Sequence, residues 1–266
     1  MDKTRTSQTL ARGLKILNLF QEKSSKHSRF GTYRVELGIK EMQEELNLPK
    51  TVISRLVTTL SDYGYLYQNP QTKKYMLGIT AYTLGLCAVP ELEIRNISVP
   101  FMEKLAHATR ETVSLNVVDP LTYNGTCISS IDSPEDIKLT TRLGSVRPLH
   151  RGASRKVLLA HLEPWQQDQY IARLTLEPER EKQLRNELNQ IVESGYAYSE
   201  QELDEGACAV AAPIVTEDRR LLAGIAIAGP LYRMTPERFS TWISLVNEAA
   251  NGIANALQPP KLVQED

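Results

Sequence analysis

The sequence predicts an α+β protein of two domains: an N-terminal winged helix-turn-helix over residues 1–78 and a C-terminal α/β domain over 112–260, joined by a helical stretch over 79–111. Three observations predict it. Amphipathic helical segments, interrupted by a proline, lead into a short strand–turn–strand with lysines at its tip. Beyond residue 111 strand-like apolar runs are mixed with helical ones, as in a sheet covered by helices. The two parts also differ in charge. Residues 1–78 hold thirteen Lys and Arg against seven Asp and Glu, and the remainder holds eighteen against twenty-five. A near-neutral chain divided in this way fits one half that faces a polyanion and another that does not. A chain of 266 residues also has room for about two domains with cores of their own.

Each element has a local reason. Leu10, Leu14 and Leu17, with Ile16 and Phe20, recur at three-to-four spacing and predict a helix over 9–21 with these residues facing the core. The polar, basic stretch 22–36 reads as a loop. Ile39, Met42 and Leu46 share one side of a short helix over 38–46, which Asn47-Leu48-Pro49 ends. Pro49 is suited to open the next helix. There Ile53, Leu56, Val57 and Leu60 gather on one face, while Thr51, Ser54, Arg55 and Thr58 fall on the opposite one. Gly64 stops this helix, and residues 65–67 and 75–77 read as strands around the turn 69–74. Segments 79–89 and 94–110 are helical and punctuated by Pro90 and Pro100. Strands are expected over 112–118, 125–131, 209–215 and 221–228, and helices over 153–162, 164–174, 180–194 and 236–257.

Composition removes several classes of function. No apolar run approaches the roughly 20 residues that cross a bilayer, so no membrane span is expected. The N-terminus is polar from Met1 to Arg5 rather than an export signal, and a cytoplasmic protein is expected. Cys87, Cys127 and Cys208 are odd in number and far apart, which is neither a disulfide framework nor metal-ligand spacing. They are expected as buried free thiols, with no metal and no cofactor.

The polar stripe after Pro49 carries the first functional reading. In a helix-turn-helix the second helix enters the major groove and its N-terminal residues touch base edges. Arg is the commonest bidentate partner of guanine, and short hydroxyls serve bases or phosphates. A solvated helix face would look the same taken alone. Breaker, stripe and a hairpin bearing Lys73 and Lys74, in that order, favour double-stranded DNA as the partner.

The segments SQTLARGLKILNLF, LNLPKTVISRLVTTLSDYGYL and YMLG resemble the reading head of the IclR family of transcription regulators. PLHRGASRKVLLA, ESGYAYSEQELDEGACAVAAPI and LLAGIAIAGP resemble successive motifs of its effector-binding domain. The resemblance covers nearly the whole chain. It implies a GAF-like sensor domain, a helical linker used in dimer contact, and homodimers or homotetramers on palindrome-like operators. With the stripe it gives a DNA-contacting set of Lys50, Thr51, Val52, Ser54, Arg55, Thr58, Lys73 and Lys74. For a small-molecule effector it implies a pocket at Leu139, Arg147, Ala153, Ser154, Ser199, Ala209, Ala226 and Ala228.

The chain departs from the family at that pocket. Members taking small, very polar acids tend to have an acidic residue where Ser199 stands, and hydroxyl or thiol side chains where Ala209, Ala226 and Ala228 stand. Methyl groups there fit a larger, more apolar effector, such as an aromatic acid. Arg155 stands where the family usually has Gly. Arg142, Arg147, Arg151 and Arg155 cluster around a helix start near Gly152, whose free amides would attract an anion, and Arg147 is the one chosen for a carboxylate. Glu202 is expected to hold its loop. An acid–base pair of His150 with Cys208 or Glu202 would instead mean an enzyme, but no Gly-rich phosphate loop or nucleophile elbow accompanies it. A winged helix used for protein contacts is a third reading, which Arg55 and the two lysines disfavour.

Overall fold

A computed structural model describes residues 7–27, 35–87 and 89–257, in two units divided between Val89 and Pro90. The division falls within the stretch expected as the linker.

The first unit contains α1 (Gln8–His27), α2 (Ile39–Leu46), α3 (Lys50–Asp62), β1 (Leu66–Gln68), β2 (Tyr75–Leu77) and α4 (Ile79–Leu86). α2 ends on Asn47 in the left-handed region at φ 48°, and Pro49, extended at ψ 143°, launches α3. That two-point turn sets α3 across α2, as a helix-turn-helix requires. Ile16, Leu19, Phe20, Met42, Ile53, Val57 and Leu66 form the core. β1 and β2 pair antiparallel with Tyr67 opposite Met76, and Leu37 bridges to Tyr75 from the other side.

α1 departs from the expected pattern. Its buried face runs through Gly13, Ile16, Leu19 and Phe20, which leaves Leu10 and Leu14 63% and 50% exposed. Two apolar stripes compete on this helix, and the one carrying Phe20 meets Val57 and Met42 in the common core. The helix also runs six residues past its expected end, to His27. Residues 28–34 of the expected basic loop lie outside the described residues.

The second unit is built on a six-stranded antiparallel sheet in the order β5-β4-β3-β8-β7-β6. Its strands are β3 (Thr112–Asp119), β4 (Asn124–Ile131), β5 (Val146–Pro148), β6 (Ala197–Glu200), β7 (Ala207–Val215) and β8 (Leu221–Pro230). β5 and β6, the two edges, were not expected; at three and four residues they are too short to show a pattern. α5 (Val89–Thr109) and α9 (Pro236–Ala256) cover one face, where Met102, Leu105, Trp242 and Val246 meet Val113, Leu115, Val210 and Ile225. α6 (Ala153–Ala160), α7 (Pro164–Arg173) and α8 (Pro178–Ser194) cover the other through Val157, Leu158, Tyr170 and Leu188. Pro100 was expected as punctuation but lies inside α5. Buried Ile94 and Met102 anchor that helix to the sheet on either side of it, so packing overrides the break.

On the α5 side, Gly229 leaves room for Glu111: a Cβ there would lie 2.7 Å from its carboxyl carbon and 3.0 Å from Trp242. Glu111 is 1% exposed and is gripped by Arg233, Nε to Oε1 and Nη2 to Oε2, both at 2.8 Å. A forked guanidinium is the partner that makes a buried carboxylate tolerable.

Candidate DNA-reading face and effector site

α3 separates its two faces as its sequence directs. Ile53 and Val57 are buried, whereas Lys50, Thr51, Arg55 and Thr58 are exposed and Val52 and Ser54 half-buried. The hydroxyl of Thr59 is spent on its own helix, donating to the Arg55 carbonyl at 3.0 Å. The tip of the β1–β2 hairpin is shaped by Asn69, whose Oδ1 accepts from the Gln71 amide at 2.9 Å. Glu36 clamps the tip from outside, accepting from Asn69 Nδ2 at 2.6 Å and from the Thr72 hydroxyl at 2.7 Å. The Thr72 and Asn69 hydrogen bonds hold its carboxyl below the usual range.

The two wing lysines differ. Lys73 is exposed in the left-handed region at φ 59°. Lys74 turns back on α2 and pairs with Glu41 at 2.9 Å. The other oxygen of Glu41 accepts the Gly38 amide at 2.6 Å and so caps α2. That backbone bond first, and Lys74 second, hold its carboxyl below the usual pKa range. Lys74 therefore ties the wing to α2, and Lys73 is the lysine left facing outward. Sequence reasoning missed the roles of Glu36 and Glu41 because Asn69, Thr72 and Lys74 lie more than thirty positions from them.

In the second unit, strand register sets four of the expected effector residues, Ser199, Ala209, Ala226 and Ala228, in two neighbouring rows. Ser199, Ala209, Ala228 and Thr112 stand side by side across β6, β7, β8 and β3. The adjacent row is Ala197, Ala211, Ala226, Ser114 and Ser130, and a third carries Gly224, Asn116 and Cys127. All lie on the face covered by α6, because a Cβ on Gly224 would touch Val157 and Leu158 at about 3 Å. Ala209 and Ala228 keep partial exposure, while Ala153 and Ala226 are each 1% exposed. Leu139 sits above β3, its carbonyl accepting from the Thr112 hydroxyl at 2.5 Å. Ser154 is half-buried on the first turn of α6.

The start of α6 corrects the expected anion site. The Ala153 amide donates to Ser199 Oγ at 2.9 Å, and the Gly152 amide donates to Glu202 Oε2 at 2.9 Å. Lys156, 2% exposed, donates to Glu202 Oε1 at 2.5 Å and to Glu187. Two of the amides at the helix start are thus occupied from within the protein, and Glu202 latches the loop after β6 onto α6. Among the arginines, Arg142, Arg147 and Arg151 are exposed, and Arg147 lies on the edge strand β5 opposite Gly125. Arg155 is buried.

The partners of the alternative acid–base pairs are engaged elsewhere. His150 binds the Tyr170 hydroxyl through Nδ1 at 2.8 Å, and burial, then Arg151, lowers its basicity. Cys208 belongs to the core under α5 and α9, where burial pushes its thiol up to about 11. It stands on the opposite side of the sheet from α6. Cys87 was expected buried and is exposed at the end of α4. Among the described residues no three His, Cys, Asp or Glu side chains cluster to hold a metal ion, and no helix is long and apolar enough to cross a membrane.

Comparison with known proteins settles what this two-unit chain is. Residues 9–70 match the IclR helix-turn-helix domain, and residues 87–255 match the bacterial transcriptional regulator IclR C-terminal domain. The chain belongs to the IclR family. It is a DNA-binding transcription regulator of that family. It is 28% identical to the HTH-type transcriptional regulator KipR of Bacillus subtilis over 260 residues, covering 94% of this chain and 97% of that one. It is 25% identical to the transcriptional repressor IclR of Escherichia coli, over 94% of this chain and 89% of the repressor. Among solved structures, an IclR homolog from Microbacterium hydrocarbonoxydans complexed with 4-hydroxybenzoate superposes with a TM-score of 0.76 at 22% identity, covering 94% of this chain and 99% of that one. The IclR regulator of Alicyclobacillus acidocaldarius gives 0.74 at 20% identity over 94% and 98%. These likenesses show the fold of this IclR-family chain.

Proposed function

We propose that this regulator reads its operator with the outer face of α3 and with Lys73, and that its affinity for DNA is set by an aromatic or similarly apolar organic acid. The effector is held between α6 and the sheet. The observation that carries this reading is the row Ser199, Ala209, Ala228, Thr112: two methyl groups form the middle of a floor whose ends are hydroxyls. Such a surface takes an apolar body, while the hydroxyls at its ends stay tied to Ala153 and Leu139. That the Microbacterium homolog was solved with 4-hydroxybenzoate is in keeping with it. Latching of the loop by Glu202 and Ser199 is a structural role, and no residue in this proposal performs chemistry on the ligand.

A second observation bears on assembly. Leu10 and Leu14 of α1 and Ile79, Tyr82 and Leu84 of α4 are each at least half exposed. Apolar surface of this kind is usually covered by a partner, and a second copy of the chain, giving a homodimer or homotetramer, is the proposed cover. Two joined reading heads gain operator affinity through effective concentration, about 100-fold or more. The test is a duplex-shift titration with and without 4-hydroxybenzoate and its analogues. Acid-dependent change of operator affinity is expected. Operator affinity indifferent to every acid tried sinks the sensor reading, and the same titration with Leu14→Glu and Tyr82→Glu, where half-site binding is expected, checks the assembly.

A further inference from the structure

Arg155 is 3% exposed, and no carboxylate pairs with it among the described residues. Its one described hydrogen bond is a long one, Nη1 to Ser154 Oγ at 3.4 Å. Its Nε has no hydrogen-bond partner. The side chain lies across β4 at Gly125, where a Cβ would meet Arg155 Cδ and come within 2.7 Å of Nε, so the strand is left bare at the position the arginine occupies. The surroundings raise the cost of its charge: burial first, and Arg147 in addition, bring the guanidinium down to about 10. By contrast Lys156, the next residue and equally buried, has Glu187 and Glu202. The fold supplies counter-ions for one buried cation and withholds them from its neighbour.

Two more unpartnered atoms lie on the same side of the sheet. Asn116 Oδ1 and Ser130 Oγ are buried with no hydrogen-bond partner. Asn116 stands opposite Cys127, two residues along β4 from Gly125, and Ser130 stands opposite Ser114 in the adjoining row. Buried polar groups are almost always satisfied, so the three orphans on this face, out of five among the described residues, mark a place where something else completes them. The amides of Gly152 and Ala153 cannot read a ligand's charge, being held by Glu202 and Ser199.

We infer that Arg155 is the counter-ion for the carboxylate of the effector, with the Ser130 hydroxyl able to donate to the ligand and Asn116 Oδ1 able only to accept from a donor on it, over β3 and β4. This rests on the reading that the α6 side of the sheet is the effector site, and goes beyond it by assigning the charge-reading residue. A guanidinium offers a carboxylate a planar fork. Its lack of a protein carboxylate makes the empty site poor in stability and demanding of an anion.

The full-length chain is titrated calorimetrically with benzoate and 4-hydroxybenzoate and with their uncharged twins, benzamide and 4-hydroxybenzamide. The same titrations are run on Arg155→Met and Arg155→Lys. The acids are expected to bind the unaltered chain about 10- to 100-fold more tightly than the amides, the range that one or two charge-assisted hydrogen bonds carry. Arg155→Met is expected to erase the difference, and Arg155→Lys to retain part of it, since the charge remains and the fork is lost. Without ligand, Arg155→Met should melt at the same temperature or about 2–4 °C higher, because an unpaired buried charge is removed. Acids and amides binding alike, acids binding Arg155→Met undiminished, or a clear fall in its melting temperature would each overturn the assignment while leaving the sensor reading intact. If no acid and no amide binds the unaltered chain, the sensor reading for aromatic acids fails and the assignment fails with it.

Discussion

The two faces of the six-stranded sheet are built from the same strands and have opposite characters. Along β3, Val113, Leu115 and Val117 point into the core under α5 and α9, whereas Thr112, Ser114 and Asn116 point toward α6. The first face is closed and apolar, and its one buried carboxylate, Glu111, is matched by a forked arginine. On the second, Asn116, Ser130 and Arg155 keep unpartnered polar atoms. Stability accounts for the first face, where the buried charge is paired and, among the described residues, the Ser98 hydroxyl of α5 is the one orphan. It does not account for the second, where polar groups are buried at a cost that packing does not return. Proteins tolerate such cost at functional sites.

The largest expected effect breaks this comparison by exchanging the two chemistries. Leu115→Asn places an amide in the closed face and should cost about 3–5 kcal/mol, through lost burial and an unsatisfied polar group. The neighbouring Asn116→Leu, one residue away on the other face, should leave stability within about 1 kcal/mol or raise it, since it removes an orphan acceptor. Chemical denaturation of both variants measures the difference; equal losses would show that both faces are simply core.

Filling the α6 face tests the site more gently. Ala228 keeps partial exposure, so Ala228→Leu is expected to cost less than about 1.5 kcal/mol while abolishing the effector's influence on operator affinity. Ala226, 1% exposed between Ala211 and Ser114, has no such room, and Ala226→Leu should cost about 1–3 kcal/mol through overpacking. Thermal melts with duplex-shift titrations separate the two. An Ala228→Leu protein that still responds to acids would move the effector away from this row.

In the reading head the corresponding contrast is between the inner and outer faces of α3. Arg55→Ala should leave folding intact and cost about 1–3 kcal/mol of operator binding, and unchanged affinity would remove Arg55 from the interface. Lys73→Ala should lower affinity for every duplex alike and reduce the salt slope by about one. Lys74→Ala should change the salt slope less, because its charge already serves Glu41.

The smallest effect is one of acidity. The folded state holds the Glu41 carboxyl below its ordinary value through Gly38 and Lys74. Its contribution is therefore present above the unfolded carboxylate range and is lost as pH falls through the lowered folded value. The pair is nearly half exposed, so the loss is expected at well under about 1 kcal/mol. Comparing Glu41→Gln with the unaltered chain across pH 3 to about 6 should show the difference vanish at the acid end; a difference that grows there would contradict the sign.

Much of this was legible without coordinates. The helix–breaker–helix–hairpin order, the split of charge and the inward apolar residues of α3 follow from spacing alone, because helical periodicity and proline act within a few residues. The alternation Thr-Val-Ser-Leu-Asn-Val from residue 112 also carried, unread, the signal of a sheet with one polar face. The choice between the two leucine stripes of α1 was not legible, nor was the direction of Lys74, since each depends on a partner distant in sequence.

Arg155 illustrates the limit best. The sequence determined that an arginine stands beside Lys156 near a helix start, in a cluster that looked equally charged and equally exposed throughout. Only tertiary structure decided that Arg147 lies at the edge, that Glu202 and Ser199 fill the helix start, and that Arg155 is buried over Gly125 with no acid beside it among the described residues. Local pattern fixes which face a residue takes on its own helix or strand. Desolvation and ion pairing depend on what the rest of the chain brings within a few ångströms, and that is set by the packing of strands far apart in sequence.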